Sequence, residues 1–142
     1  MAESWYETVS SETRLTQGDL ISDCPLFLWT ADFPELKGKK EVEVLSGLMD
    51  FAQQDVVVMT QACDLEHDKV DNVVLCPHYS LADFREAWGQ EMQARRQNPT
   101  EKAWRNHCED IKEGFLWNLA MLDSGRLLHA PLEIRIVDFR EV

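Results

Sequence analysis

Val56-Val57-Val58-Met59-Thr60 constrains this chain more than any other stretch. Three consecutive β-branched residues are stiff at χ1 and favour extended backbone. An unbroken apolar run, as opposed to an alternating one, has both faces in the interior, so it predicts a central strand with packing on either side. The run ends abruptly in Thr60-Gln61-Ala62-Cys63-Asp64. Polar groups just past the end of a core strand are held by a rigid scaffold and face solvent. The length, 142 residues, suits one domain of residues 1–142, long enough for a real core.

Other segments sort by period. Thr16-Gln17-Gly18-Asp19 predicts a turn into a first strand, Leu20-Ile21 and then Cys24-Pro25-Leu26-Phe27-Leu28-Trp29, with Pro25 demoting that run to an edge or a bend. Gly38 predicts a turn, and Glu41-Val42-Glu43-Val44-Leu45 alternates as a strand with one wet face does. Asp64 to Asp71 reads as a loop, and Asn72 to Pro77 as a strand stopped by its proline, the two flanking strands forming a long hairpin. Residues 80–113 read as helical. Ser80-x-x-Asp83 is a variant capping box, and Leu81, Phe84, Trp88 and Met92 share one face. Asn98-Pro99 starts a second helix, with Trp104, Cys108 and Ile111 on its stripe and Gly114 as its C-terminal stop. Asp123-Ser124-Gly125 predicts a turn in which glycine allows positive φ, and Leu132 to Ile136 alternates as a half-buried strand. Short strands around a helical insertion predict a mainly β, α+β domain: a small β-barrel carrying two helices at about 80–113.

The net charge of −12 comes almost wholly from the first part of the chain. Residues 1–84 carry 16 acidic and 5 basic side chains, residues 85–142 carry 10 and 9. Such a surface repels nucleic-acid phosphates and favours a basic protein partner. Arg85, Arg95, Arg96, Lys102 and Arg105 are the sole basic strip, interrupted by Glu86, Glu91 and Glu101, which reads as a helix laced with ion pairs. Apolar runs are too short to span a bilayer. Four widely spaced cysteines without an export signal read as reduced thiols in a cytoplasmic protein. The five tryptophans read mainly as core, any exposed one marking a partner surface.

Chemistry concentrates between Asp55 and Tyr79. Cys63, His67, Cys76 and His78 have zinc-ligand chemistry without the paired Cys-x2-Cys spacing, so the expectation is two buried thiols, two surface histidines and no metal. In a simple hairpin Cys63 falls near Asn72 and Cys76 near Met59. Cys63 with His78 or His67 as base and Asp64 as orienter is a possible nucleophile set, without a glycine-rich oxyanion turn beside it. Asp64 to Asp68 is acidic enough for calcium but lacks the glycine and terminal glutamate of a calcium loop. Asp64 itself is expected to lock the turn by accepting backbone N–H bonds. No cofactor is expected.

Gln17-Gly18-Asp19-Leu20-Ile21, Asp55 through Thr60, and Val73-Val74-Leu75-Cys76-Pro77-His78 together resemble the MazF/PemK-like toxin fold, over about half of the chain. Gly-Asp before apolar residues, a valine-rich strand ending in Ser or Thr, and an apolar strand ending in Pro follow that family's order. The resemblance implies a small SH3-like barrel and a metal-independent endoribonuclease that is paired with an antitoxin. It assigns RNA cleavage to an Arg before the central strand and a Ser or Thr at its end. Thr60 matches the second, whereas Gln53-Gln54-Asp55 stands in place of the first. Cleavage needs a cation where charge develops on the phosphate. The resulting expectation is a barrel retained without its nuclease, a protein-binding module in a bacterial toxin–antitoxin or phage-defence setting, with Gln61, Arg85, Arg95 and Arg96 as binding residues. The alternatives are a divergent ribonuclease using Thr60 and a remote arginine, or a hydrolase using Cys63.

Overall fold

A computed structural model describes residues 4–29, 48–127 and 129–140. The predicted turn at Gly38 and the strand at Glu41 to Leu45 lie outside these residues. The elements are β1 Leu20–Trp29, β2 Met49–Val58, α1 Ala62–Glu66, β3 Leu75–Ser80, α2 Leu81–Ala94, α3 Glu101–Lys112, β4 Leu119–Leu122, β5 Gly125–Leu127, β6 Ala130–Leu132 and β7 Arg135–Asp138. The fold is α+β. Five antiparallel strands run in the order β1-β2-β3-β7-β4, and β5 and β6 form a separate two-stranded ribbon. The sheet is open: among the described residues β1 and β4 are its edges and do not join.

The valine run behaves as its composition dictates. Val56, Val57 and Val58 are all buried, and β2 lies between β1 and β3 at this point. Alternation then splits the interior into two cores. Val57, Cys76 and Val137 pack on one face, with Leu20, Met59 and Phe139 against them. Ile111, Leu119 and Ile136 pack on the other, with Leu81 and Phe84. Adjacent residues of β7, Ile136 and Val137, thus serve opposite cores, and burying each such side chain contributes roughly 1.5–3 kcal/mol.

Several local expectations need correction. The expected loop from Asp64 to Asp71 begins inside a short helix, α1, which holds Asp64, Leu65 and Glu66. Pro77 does not stop its strand; it sits inside β3, opposite Val56. There β3 leaves β2 and, from His78 onward, pairs with β7, so the missing N–H falls at the hand-over between two ladders. The hairpin register also differs, with Cys76 opposite Val57 and not beside Met59. Leu132 to Ile136 is not one strand: β6 ends at Leu132 and β7 starts at Arg135.

Ser80 caps α2 as its sequence predicts, its hydroxyl accepting from the Asp83 N–H. The second helix starts later than Asn98-Pro99. Thr100 is its cap, because the Thr100 hydroxyl reaches the Ala103 N–H at 3.2 Å. Gly114, at φ +76°, ends α3: its N–H donates to the Ile111 carbonyl and that of Phe115 to the Asp110 carbonyl. Arg96, at φ +57°, ends α2 in the same way with a bulky residue in the left-handed position. Gly125 is needed for space and not for positive φ, since a Cβ there would lie 1.8 Å from the ring of Tyr6. The Tyr6 hydroxyl donates to the Ala130 carbonyl, which fastens the N-terminal segment across the β5–β6 ribbon.

Candidate functional site

The residues singled out past the central strand are dispersed. Thr60 is buried, and its hydroxyl accepts the Val74 N–H at 2.7 Å. Gln61 stands at the N-cap of α1 without a side-chain cap bond. Cys63 is exposed on α1, its thiol 3.8 Å from both the Gln61 and the Asp64 side-chain oxygens. Asp64 therefore does not lock the turn through backbone N–H groups; its carboxylate meets the Cys63 thiol, and the turn is closed by backbone bonds from Asp64 and Leu65 to the Gln61 carbonyl. His67 is exposed at the end of α1. Cys76 is buried, and burial first and Asp138 second push its thiol up. His78 is a core residue rather than a surface one. Among the described residues no three His, Cys, Asp or Glu side chains gather as a metal site.

His78 belongs instead to a polar cluster spanning three strands. Arg135 of β7 donates from Nε to His78 Nδ1 at 3.0 Å and from Nη2 to Asp55 Oδ2 at 2.6 Å. Asp55 Oδ1 accepts the Asp23 N–H at 2.9 Å. Asp23 sits at φ +51° in the irregularity of β1 between Ile21 and Cys24, so the carboxylate pins a bulge as well as an arginine. Because Arg135 can only donate, His78 Nδ1 must accept, which leaves the hydrogen of the neutral ring on Nε2. That atom is buried without a partner. Burial foremost, then Arg135, hold the His78 pKa below its ordinary value, while Asp55 and the Val56 backbone oppose this. The ring is thus an acceptor for a half-buried cation.

A concave surface lies elsewhere, between the helices and one end of the sheet. Phe84, Trp88, Met92 and Arg95 present one face of α2 to it. His107 of α3, Tyr79 of β3 and Asp138 of β7 complete its walls with Asn118 and Arg140. His107 is stacked on Phe84 at 6.0 Å and on Trp88 at 5.7 Å between centroids. Its burial lowers its pKa, against Asp110 and Glu91. Asp138 is buried. Burial pushes its pKa up, but Arg140 outweighs this and the net shift is downward. Arg140 holds both carboxylate oxygens, at 3.0 Å from Nε and 2.7 Å from Nη2, and also donates its backbone N–H. Arg95 pairs with Glu91 one turn earlier.

This cleft has flat apolar walls and fixed charges of both signs, and its lining contains no cysteine or serine. Phe115 and Trp117, on either side in sequence of the lining residue Leu116, are 75% and 83% exposed. Trp117 and Trp5 are thus surface residues, whereas Trp104 is core. Of the predicted binding residues only Arg95 lines the cleft. Arg85 pairs with Glu101 and lies over Trp104 at 5.5 Å, and Arg96 ends α2. The stripe Phe84-Trp88-Met92 is visible in the sequence, but its half-burial depends on how α2 and α3 meet the sheet. Asp138 and Arg140 carry no local signal of a site. Comparison with protein-family models, with curated proteins and with solved structures finds no match for this chain.

Proposed function

We propose that this chain is a non-enzymatic, cytoplasmic protein-binding module on an SH3-like frame of the MazF/PemK type, acting through a protein partner in bacterial conflict or defence. The sheet is open, and what supports the frame is its strand order: β3 is shared between a β1-β2-β3 half and a β3-β7-β4 half. The partner site is the cleft walled by Phe84, Trp88 and His107. The observation that carries this reading is a pair of exposed aromatics, Phe115 and Trp117, on either side in sequence of the cleft residue Leu116. Large exposed aromatics are enriched where partner proteins anchor.

Two features weigh against RNA cleavage. Thr60 has its hydroxyl committed to the Val74 N–H. Arg135 is held by Asp55, five residues before Thr60, or about 16 Å of extended chain, and Arg14 is held by the Glu66 carbonyl of α1. For the hydrolase alternative, Cys63 lies exposed on α1 while His78 is buried and engaged by Arg135. The test is a paired assay: affinity capture from the source cells with the wild type and with Trp117→Ala, beside incubation with single-stranded RNA. The reading expects a protein retained by the wild type, lost by the variant, and intact RNA. Site-specific RNA cleavage lost in Thr60→Ala would overturn it.

A further inference from the structure

Among the described residues β4 pairs with β7 alone. The Phe139 N–H donates to the Asn118 carbonyl, so 118 and 139 form a hydrogen-bonded pair of this antiparallel ladder. Such pairs recur at every second residue. The peptide groups of Ala120 and Leu122 are thereby directed at β7, and those of Leu119 and Met121 away from it. The Leu119 N–H turns back to the Leu116 carbonyl. The Leu119 carbonyl and both peptide groups of Met121 are left pointing outward, and no described residue bonds them. Burial agrees: Ile136, Val137 and Asp138 of β7, paired on both sides, are buried, whereas Ala120, Met121 and Leu122 are half-buried.

Sheet edges are normally blunted by charge, proline or a bulge. β1 has such devices, the irregularity at Asp23 and then Pro25. From Phe115 to Leu122 the chain has no charge and no proline, on a molecule of net charge −12, and the register of β4 is regular. An unbonded N–H and C=O at one residue, with a further carbonyl two residues away, are complementary to the backbone of one more strand. A second copy would bring two chains of charge −12 together along that line, whereas an uncharged segment of another protein meets no such repulsion. Side chains of the added strand on the helix face would stand beside Met121 and Leu119, and Leu119 lines the cleft. We infer that β4 takes up an extended, uncharged segment of the protein partner as an added strand, with apolar side chains at alternate positions directed to the cleft. The inference rests on the partner reading above for the nature of its occupant.

Amide hydrogen exchange of the full chain tests this, with the capped peptide acetyl-Val-Thr-Val-Thr-Val-amide as probe. In the chain alone the Met121 amide should exchange far faster than that of Ala120, which β7 holds. Peptide in millimolar excess should slow Met121 about tenfold or more and leave Ala120 nearly unchanged. The same peptide N-methylated at every residue has no donor for the Leu119 and Met121 carbonyls and should give no protection. Met121→Pro removes an outward N–H, which an edge strand tolerates, and should raise the dissociation constant of the peptide about tenfold or more. Should that variant fail to fold, the N-methylated peptide carries the test on the wild type. Slowing at Met121 in a chain that holds no protein through Trp117 keeps the edge and moves the partner site to it. No slowing, beside a protein still held through Trp117, rejects the edge and leaves the cleft reading intact. A Met121 amide already protected in the chain alone, protection that grows with protein concentration, or equal slowing by the N-methylated peptide would each overturn the inference.

Discussion

Arg135→Met is the sharpest probe of how this fold is held. The substitution keeps a long apolar stem in β7 and removes the guanidinium that joins β2, β3 and β7. Asp55 loses its ion pair, at side-chain exposures of 16% for the arginine and 30% for the carboxylate, so solvent recovers only part of the loss. His78 Nδ1 becomes a second buried atom without a partner on a ring whose Nε2 already has none. A charge-assisted bond of this kind is worth about 1.5–3 kcal/mol, and an orphaned buried acceptor costs a further 1–3. Partial exposure and shared reorganisation bring the expected loss to about 3 kcal/mol at pH 7.5. The pH dependence follows from His78. Its folded pKa lies below the ordinary 6.5, so as pH falls below that value the unfolded chain takes up a proton that the native chain refuses, and the wild type loses stability until the folded pKa is reached. Without Arg135 one of the forces lowering that pKa is gone, and His78 can protonate toward Asp55. The penalty of the substitution should therefore shrink between pH 7.5 and pH 5. Urea melts of both proteins at the two pH values give the answer. A loss under about 1 kcal/mol, or one that does not change with pH, refutes the reasoning.

Further substitutions test other joints. Gly125→Ala places a methyl group on the Tyr6 ring, so the N-terminal segment should detach; limited proteolysis within residues 4–13 should accelerate, with a stability loss of about 1–2 kcal/mol. Arg96→Gly relieves a left-handed residue at the end of α2 and should raise the urea midpoint, a gain of about 1 kcal/mol. Thr60→Val leaves the Val74 N–H without its acceptor and should cost about 1–3 kcal/mol in the same melts, which a purely catalytic hydroxyl would not. Asp64→Ala should change stability by less than about 0.5 kcal/mol, because its carboxylate meets a thiol and holds no backbone N–H.

What the sequence discloses here is what is local. The β-branched run at Val56 to Val58 can be buried on both faces only as an inner strand, and Ser80 and Gly114 announce helix ends through chemistry that acts within a few residues. Pro77 misleads because its tolerance depends on a change of partner strand. Gly125 misleads because its reason, Tyr6, lies more than a hundred residues away. Asp55 and Arg135 are eighty residues apart, and no period or spacing in either segment announces their pairing through His78. The cleft is hidden for the same reason. The stripe on α2 reads as core until the packing of α3 and the sheet leaves one side of it open, and Trp117 reads as core until its loop carries it into solvent.

The most direct test of the partner-cleft account is photocrosslinking in the source cells, with a photoreactive aromatic amino acid in place of Trp117. The account predicts a discrete protein adduct that disappears when Trp88→Glu puts a charge on the aromatic wall of the cleft. No adduct, an adduct with RNA, or a protein adduct unaffected by Trp88→Glu would contradict it.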